Sequence, residues 1–257
     1  MGQTTYRLDV TELRTAFEFS GTSAERIRNF RAERLSRIGA SEEIPSPLDE
    51  QAPKLVLHII PFNAFSTSVS LDLKPVNNSA KGPLLQPLMV WDQESNVEMR
   101  FNIDGIVRSN KMMNPPSTFA YTQVFRNGIF ETVDLSILGV NSWNISQFGS
   151  KVNPKSFSGE RYERKLLGTV KRYIDLQKFL GIDPPVFIMV SFLGVKGYRI
   201  AHSSDKQLFS PFTDEIDRMN LIIPESVVDT SDGDLAEAMK PIFDTVWNAA
   251  GYIGSPN

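Results

Sequence analysis

The chain contains no cysteine. That absence removes disulfides, thiolate metal sites and a cysteine nucleophile together, and a reducing cytoplasm is the compartment it fits. Histidine is nearly as scarce: His58 and His202 are the only two in 257 residues, and neither stands at a metal-ligand spacing from another ligand type. No apolar run reaches the ~20 residues that a helix needs to cross a bilayer. The opening "MGQTTYRLDVTELRTAF" puts Arg7, Asp9 and Glu12 where a signal peptide needs an apolar core. Met1-Gly2 lacks the Ser or Thr that a myristoylation signal needs at position 6, because Tyr6 stands there. A dominant charge is missing as well. With 27 basic and 30 acidic residues the net charge is -3, so any attraction to phosphate must come from a local patch. The expectation is a cytoplasmic protein, off the membrane, with no metal and no cofactor.

What is present is enough apolar material, 41% of residues, to bury a sizeable core. Three zones divide the chain. Residues 1–40 read as an N-terminal helical segment of two helices, capped at Asp9 with Glu12 and at Thr22 with Glu25, with "FSGTS" as the break between them. Residues 41–53, with three prolines, four acids (one of them Asp49) and no apolar periodicity, read as a linker. Residues 54–257 read as an α+β domain.

The stretch "AERIRNFRAERLSRIGA", residues 24–40, carries five arginines. On a helix Ile27, Phe30 or Arg31, Leu35 and Ile38 make the apolar stripe, while Arg26, Arg34 and Arg37 share a flank. That flank fits a solvated face whose arginine stems pack on a neighbouring domain. It also fits a phosphate-contacting face giving salt-dependent, sequence-independent affinity.

Within the α+β zone, "KLVLHIIPF" has the continuous apolar texture of a strand buried on both faces. "MRFNIDGIV" alternates as a half-buried strand. "AYTQVFRNGIFETVD" reads as a hairpin on an Asn127-Gly128 type I′ loop, with Phe125 opposite Phe130. The periodicity of Leu166, Val170, Tyr173, Ile174 and Gln177 predicts a long amphipathic helix ended by Gly181. A buried strand follows over 186–192, then a turn at Gly194 to Gly197 and a return strand. A last helix over 234–249 turns Leu235, Met239, Ile242, Phe243, Val246 and Trp247 inward. This order predicts an α+β fold, a mixed or mostly antiparallel sheet with two main packing helices behind an N-terminal helical segment.

No catalytic constellation emerges. His58 lies mid-strand, where a histidine hydrogen-bonded within the fold is the plain reading, and His202 sits at a strand end without triad partners. Asp229, Asp232, Asp234 and Glu237 fail the calcium-loop spacing and read as a helix start. Glu163-Arg164-Lys165 spells a nuclease-like triplet, but it opens a helix where the signature requires a strand. For a ligand, the sheet edge near Tyr198, His202 and Trp247 is the candidate pocket.

The segments "ELRTAFEFSGTSAERIRNFRAERLSRI", "PKLVLHIIPFNAFS", "YTQVFRNGIFETVD", "PPVFIMVSFLGVKGYRI" and "FDTVWNAAGYIGSPN" resemble the C-terminal region of bacterial proteins that carry an N-terminal Schlafen-type AlbA domain. Such proteins are described as putative ATP-binding proteins or transcriptional regulators, and the resemblance links their AlbA domain, absent from this chain, to nucleic acid. It implies that the chain is a non-catalytic accessory module for interaction, sensing or oligomerisation. Its partners would be the AlbA domain, a second copy, and nucleic acid reached through the full-length protein. A small-ligand or nucleotide sensor and a hydrolase or nuclease stand as the alternatives.

Overall fold

The computed structural model describes residues 10–66, 70–77, 82–88, 95–113, 116–138, 155–201, 214–229 and 233–256. An eight-stranded sheet forms the middle layer. It is built from β1 (Lys54–Pro61), β2 (Ser95–Phe101), β3 (Gly105–Met113), β4 (Pro116–Phe125), β5 (Phe130–Asp134), β7 (Val186–Leu193), β9 (Asn220–Ile222) and β10 (Ser226–Val228). The order is β10-β7-β1-β5-β4-β3-β2, with β9 also on β7, and every pairing in it is antiparallel. The short β6 (Ser156–Ser158) and β8 (Arg199–Ala201) pair in parallel as a separate ribbon. The α+β expectation holds. The return strand after Gly197 does not fold back on β7, however; it is β8, joined to β6.

Among the described residues three helices cover this sheet: α1 (Val10–Ala40), α2 (Gly159–Phe179) and α3 (Leu235–Asn248). The alternation along β1 shows how. All eight of its residues are buried. Leu55, Leu57 and Ile59 join the core under α2 and α3, whereas Val56, His58 and Ile60 turn to the side of α1. Below α2 and α3 lie Tyr162, Leu166, Val170, Met239, Phe243 and Trp247. On the opposite face Ile27, Leu35 and Ile38 meet Val56, Tyr121, Val133 and Met189. A strand with both faces covered must be apolar throughout, which accounts for "LVLHII". Among the described residues no helix is long and apolar enough to cross a membrane.

Local chemistry sets the boundaries. Asp234 caps α3 by accepting from the N–H groups of Ala236 and Glu237. Gly181, at φ +75°, ends α2. The N–H of Ile182 reaches the Gln177 carbonyl at 2.9 Å and that of Gly181 reaches Lys178 at 3.0 Å, the two bonds of a Schellman stop.

Several sequence expectations change. "FSGTS" does not break the N-terminal segment, because α1 runs through it as one helix, with Gly21 at an exposed position; Asp9 lies outside the described residues. "MRFNIDGIV" is two strands and a turn, since Asn102 Oδ1 accepts from the N–H groups of Asp104 and Gly105 and folds the chain back. In the β4–β5 hairpin only Gly128 takes positive φ. Val124 therefore faces Phe130, and Phe125 N–H bonds Ile129 O. The loop has three residues, Arg126 to Gly128, with the glycine in the left-handed position of a bulge. Residues 41–53 also do more than link: Leu48 bridges to Thr118 and is buried, and Ser46 Oγ lies 3.2 Å from Thr118 Oγ1. Two short strands that the sequence also suggests, "SVSLDL" and "PLMVW", are not seen among the described residues: 70–73 and 87–88 form no strand, and 68–69 and 89–91 lie outside the described residues.

Two glycines of α2 give opposite expectations. A Cβ on Gly159 would lie 2.2 Å from the Trp247 ring and 2.9 Å from Ile200, so Gly159→Ala lowers stability by about 1–3 kcal/mol through overpacking. Gly168 has nothing within 4 Å of an added Cβ, and Gly168→Ala raises stability by ~0.5–1 kcal/mol. Urea midpoints of the two variants, moving in opposite directions, check both.

Candidate functional site

The densest set of buried ionisable groups lies between α1 and the sheet. β1 supplies His58 and β5 supplies Glu131, which are direct cross-strand partners. β4 adds Tyr121, and α1 brings Arg34 from above. Glu131 and His58 are 0% exposed and Arg34 only 6%. The Arg34 guanidinium donates through Nε to Glu131 Oε2 and through Nη2 to Oε1, each at 2.8 Å. Tyr121 Oη donates to Oε1 at 2.9 Å, and His58 Nε2 lies 3.0 Å from Oε2. The carboxylate is thus held by a bidentate fork and two further groups, the arrangement that makes a buried charge tolerable.

Electrostatics follow from this geometry. Burial pushes the Glu131 carboxyl up, but the hydrogen bonds from Arg34 and His58 and the Arg34 cation beside it outweigh it, bringing it from 4.5 to about 2. For Arg34 burial acts to lower and the bond to Glu131 to raise, and the net direction is upward. Tyr121 is pushed well above its ordinary value by burial and by the neighbouring carboxylate. A carboxylate saturated by a cation and a phenol, out of reach of solvent, is an anchor and makes a poor general base. The His58 Nδ1 atom is buried without a hydrogen-bond partner among the described residues.

A second arginine enters the same interface without a carboxylate. Arg31, 6% exposed, donates to Val190 O at 2.6 Å, Ile223 O at 2.8 Å and Ser191 Oγ at 2.8 Å. Burial lowers its pKa to about 10, with Glu225 pulling the other way. The side chain stays cationic at neutral pH and fastens α1 to β7 and to the loop beyond β9.

The arginines expected on one flank therefore part company. Arg34 faces the sheet and is spent on Glu131, so it cannot contact nucleic acid. Arg37 pairs with Glu33 and Glu43. Arg26 is exposed. Of the expected ligand pocket, His202 lies outside the described residues, and the other two side chains are core. Tyr198 is 7% exposed and Trp247 0%. The Trp247 indole donates to Glu163 Oε1 at 2.6 Å and meets the Tyr252 ring edge-on at 4.7 Å. Glu163, set aside as part of a chance triplet, is a buried acceptor that ties α2 to α3.

Two open grooves flank this core. One, of about 670 Å³, lies between the first turns of α2 and α3, among Glu163, Arg164, Leu167, Glu237, Lys240 and Phe243. The other, of about 690 Å³, collects Asp214, Asp217, Arg218, Ile222 and Asn248. Among the described residues no three His, Asp or Glu side chains gather as metal ligands. No protein family, curated protein or solved structure matches the chain.

The signal for the anchor was in the sequence. Glu131 sits mid-strand in "FETVD", two residues from Val133 on the face that β1 shares through His58, and a charge there requires a cation from the covering helix. Replacing it tests the anchor. Glu131→Gln leaves Arg34 buried without its counter-charge and costs ~3–5 kcal/mol at neutral pH. Because the folded carboxyl titrates below its unfolded value, its contribution is complete above pH 4.5 and lost as pH falls towards about 2. Urea unfolding across that window shows the native protein weakening with acid more steeply than the variant.

Proposed function

We propose that the chain is a non-catalytic interaction or sensing module, coupled through α1 to a nucleic-acid-associated domain of the Schlafen-type AlbA kind. One observation carries this reading: Arg31 and Arg34 turn inward and join α1 to the sheet. The arginine-rich helix is then a coupling element, and its basic composition serves packing inside the protein. The segments that resemble the AlbA-linked family support the same view. They fall on α1, β1, the β4–β5 hairpin, β7 and the end of α3, which are four adjacent strands of the sheet and a helix on each of its faces. The cysteine-free composition suits a cytoplasmic setting.

The reading is tested with labelled single-stranded RNA and duplex DNA, by fluorescence anisotropy at about 50 and 200 mM salt. The chain alone shows no binding at either salt. Binding that weakens ~10³-fold or more over that interval, and drops further in Arg26→Ala, transfers the helix to the nucleic-acid interface and sinks the coupling role.

A second reading, a nucleotide or small-ligand sensor, draws on the α2–α3 groove, where Leu167 and Phe243 lie beside Arg164 and Lys240. Apolar walls with a few polar anchors are what such pockets share. A rise in melting temperature with ATP that Arg164→Glu abolishes favours the sensor over the interaction module; no rise leaves the first reading in place.

A further inference from the structure

β2 ends the sheet, and among the described residues nothing pairs with its outer side. Its free backbone groups can be assigned. Asn102 N–H donates to Gly105 O at 2.9 Å, which makes that pair a hydrogen-bonded one. Antiparallel ladders alternate, and the β2–β3 register is unbroken from Phe101↔Ile106 back to Ser95↔Met112. Arg100 and Glu98 therefore spend their backbone groups on β3, while the N–H and C=O of Val97, Met99 and Phe101 point outward. The side chains of those three residues share one face. Val97 and Phe101 are each 42% exposed, and Met99 packs partly on the core. The opposite face carries Glu98 and Arg100, whose side chains are 42% and 47% exposed.

We infer that β2 pairs antiparallel with β2 of a second copy of this chain, about a two-fold axis through Met99, extending the sheet across a homodimer. That register brings outward backbone groups opposite outward backbone groups. It sets Val97 against Phe101 of the partner twice, with the two Met99 residues between them, so the apolar positions face one another. On the other face it sets Glu98 against Arg100 of the partner, again twice, at the closely spaced non-hydrogen-bonded positions where side chains interact most. The two neighbouring registers that the backbone also permits are disfavoured, since an axis through residue 98 opposes Glu98 to itself and one through residue 100 opposes Arg100 to itself. Edge strands usually carry charge to repel further strands. This edge carries one charge of each sign at a spacing that fits its own copy. The inference stands independently of the module's role and of α1.

Sedimentation velocity over a concentration series, on the full chain, tests it. The native protein shows a concentration-dependent monomer–dimer equilibrium. E98K and R100E each weaken it at least ~tenfold, because each places like charges opposite one another twice. An equimolar mixture of E98K and R100E recovers dimerisation, since one strand then offers two cations at these positions and the other offers two carboxylates. Val97→Pro removes an outward N–H without touching the β3 ladder and also dissociates the dimer. Circular dichroism checks that each variant folds; if either charge variant does not, the native series and Val97→Pro decide. A native chain that stays monomeric throughout overturns the inference. So does a dimer indifferent to Val97→Pro, or folded charge variants whose mixture fails to recover.

Discussion

The carboxylate of Glu131 lies in the middle of the sheet with no solvent around it, and the second layer of the protein depends on how that charge is met. An ionised group of this size loses several kcal/mol on leaving water unless its partner arrives with matching geometry. Arg34 provides that geometry from another element, α1, ninety-seven residues away. The pair couples a sheet residue that needs a cation to a helix that needs a reason to sit in one place. Apolar contacts alone would let α1 slide or rotate over Val56, Val133 and Met189 at little cost, because hydrophobic burial has no direction. The two-pronged bond has one, so the pair acts as a positional key more than as a source of net stability. Arg31 adds a second fixed point about one turn away, on β7 instead of β5. Two points on one helix define both its position and its rotation.

The same residues show where sequence reasoning succeeds. Periodicity sufficed for α2 and α3, because apolar residues dominate their inward faces and their ends carry Asp234 and Gly181 in standard capping roles. β1 was legible for the same reason: a run with no polar alternation can only be covered twice. Where polar groups were internal, pattern was a poorer guide. A helical wheel placed Arg34 on an outer flank, because charge normally faces water; only the distant Glu131 makes the inward position favourable. Hairpin registers were missed by one residue or one turn for a related reason. In "RNG" a three-residue loop and a two-residue loop share the same glycine, and "FNIDG" folds back through a side-chain bond from Asn102 that alternation does not register. Tyr198 and Trp247 looked like pocket residues because aromatic groups with polar tips suit pockets, yet their polar tips also suit cores when a buried acceptor such as Glu163 is supplied.

Where the helices lie on it, the sheet is sealed on its two faces by unlike means. Under α2 and α3 the seal is aromatic, Tyr162 meeting Phe192 and Phe243 edge to face and Trp247 meeting Tyr252, with one indole-to-carboxylate bond joining the helices. Under α1 it is ionic at the centre, with aliphatic residues and the rings of Phe30, Phe65 and Phe125 around it. Among the described residues the rim offers two grooves beside α3 and the unpaired edge of β2.

The continuity of α1 through Gly21 carries a geometric consequence. From Ser23, which is buried, back to Val10 the helix rises about 20 Å. Over that span each residue turns the axis by roughly 100° and advances it by about 1.5 Å. With the phase fixed downstream by two guanidinium groups, the azimuth of residue 10 is determined by a count of residues. A single insertion between Val10 and Ser23 would leave the anchoring contacts of Arg31 and Arg34 intact and swing whatever precedes it by more than a quarter of a circle. In this part of the chain length is information, and it is read out as angle.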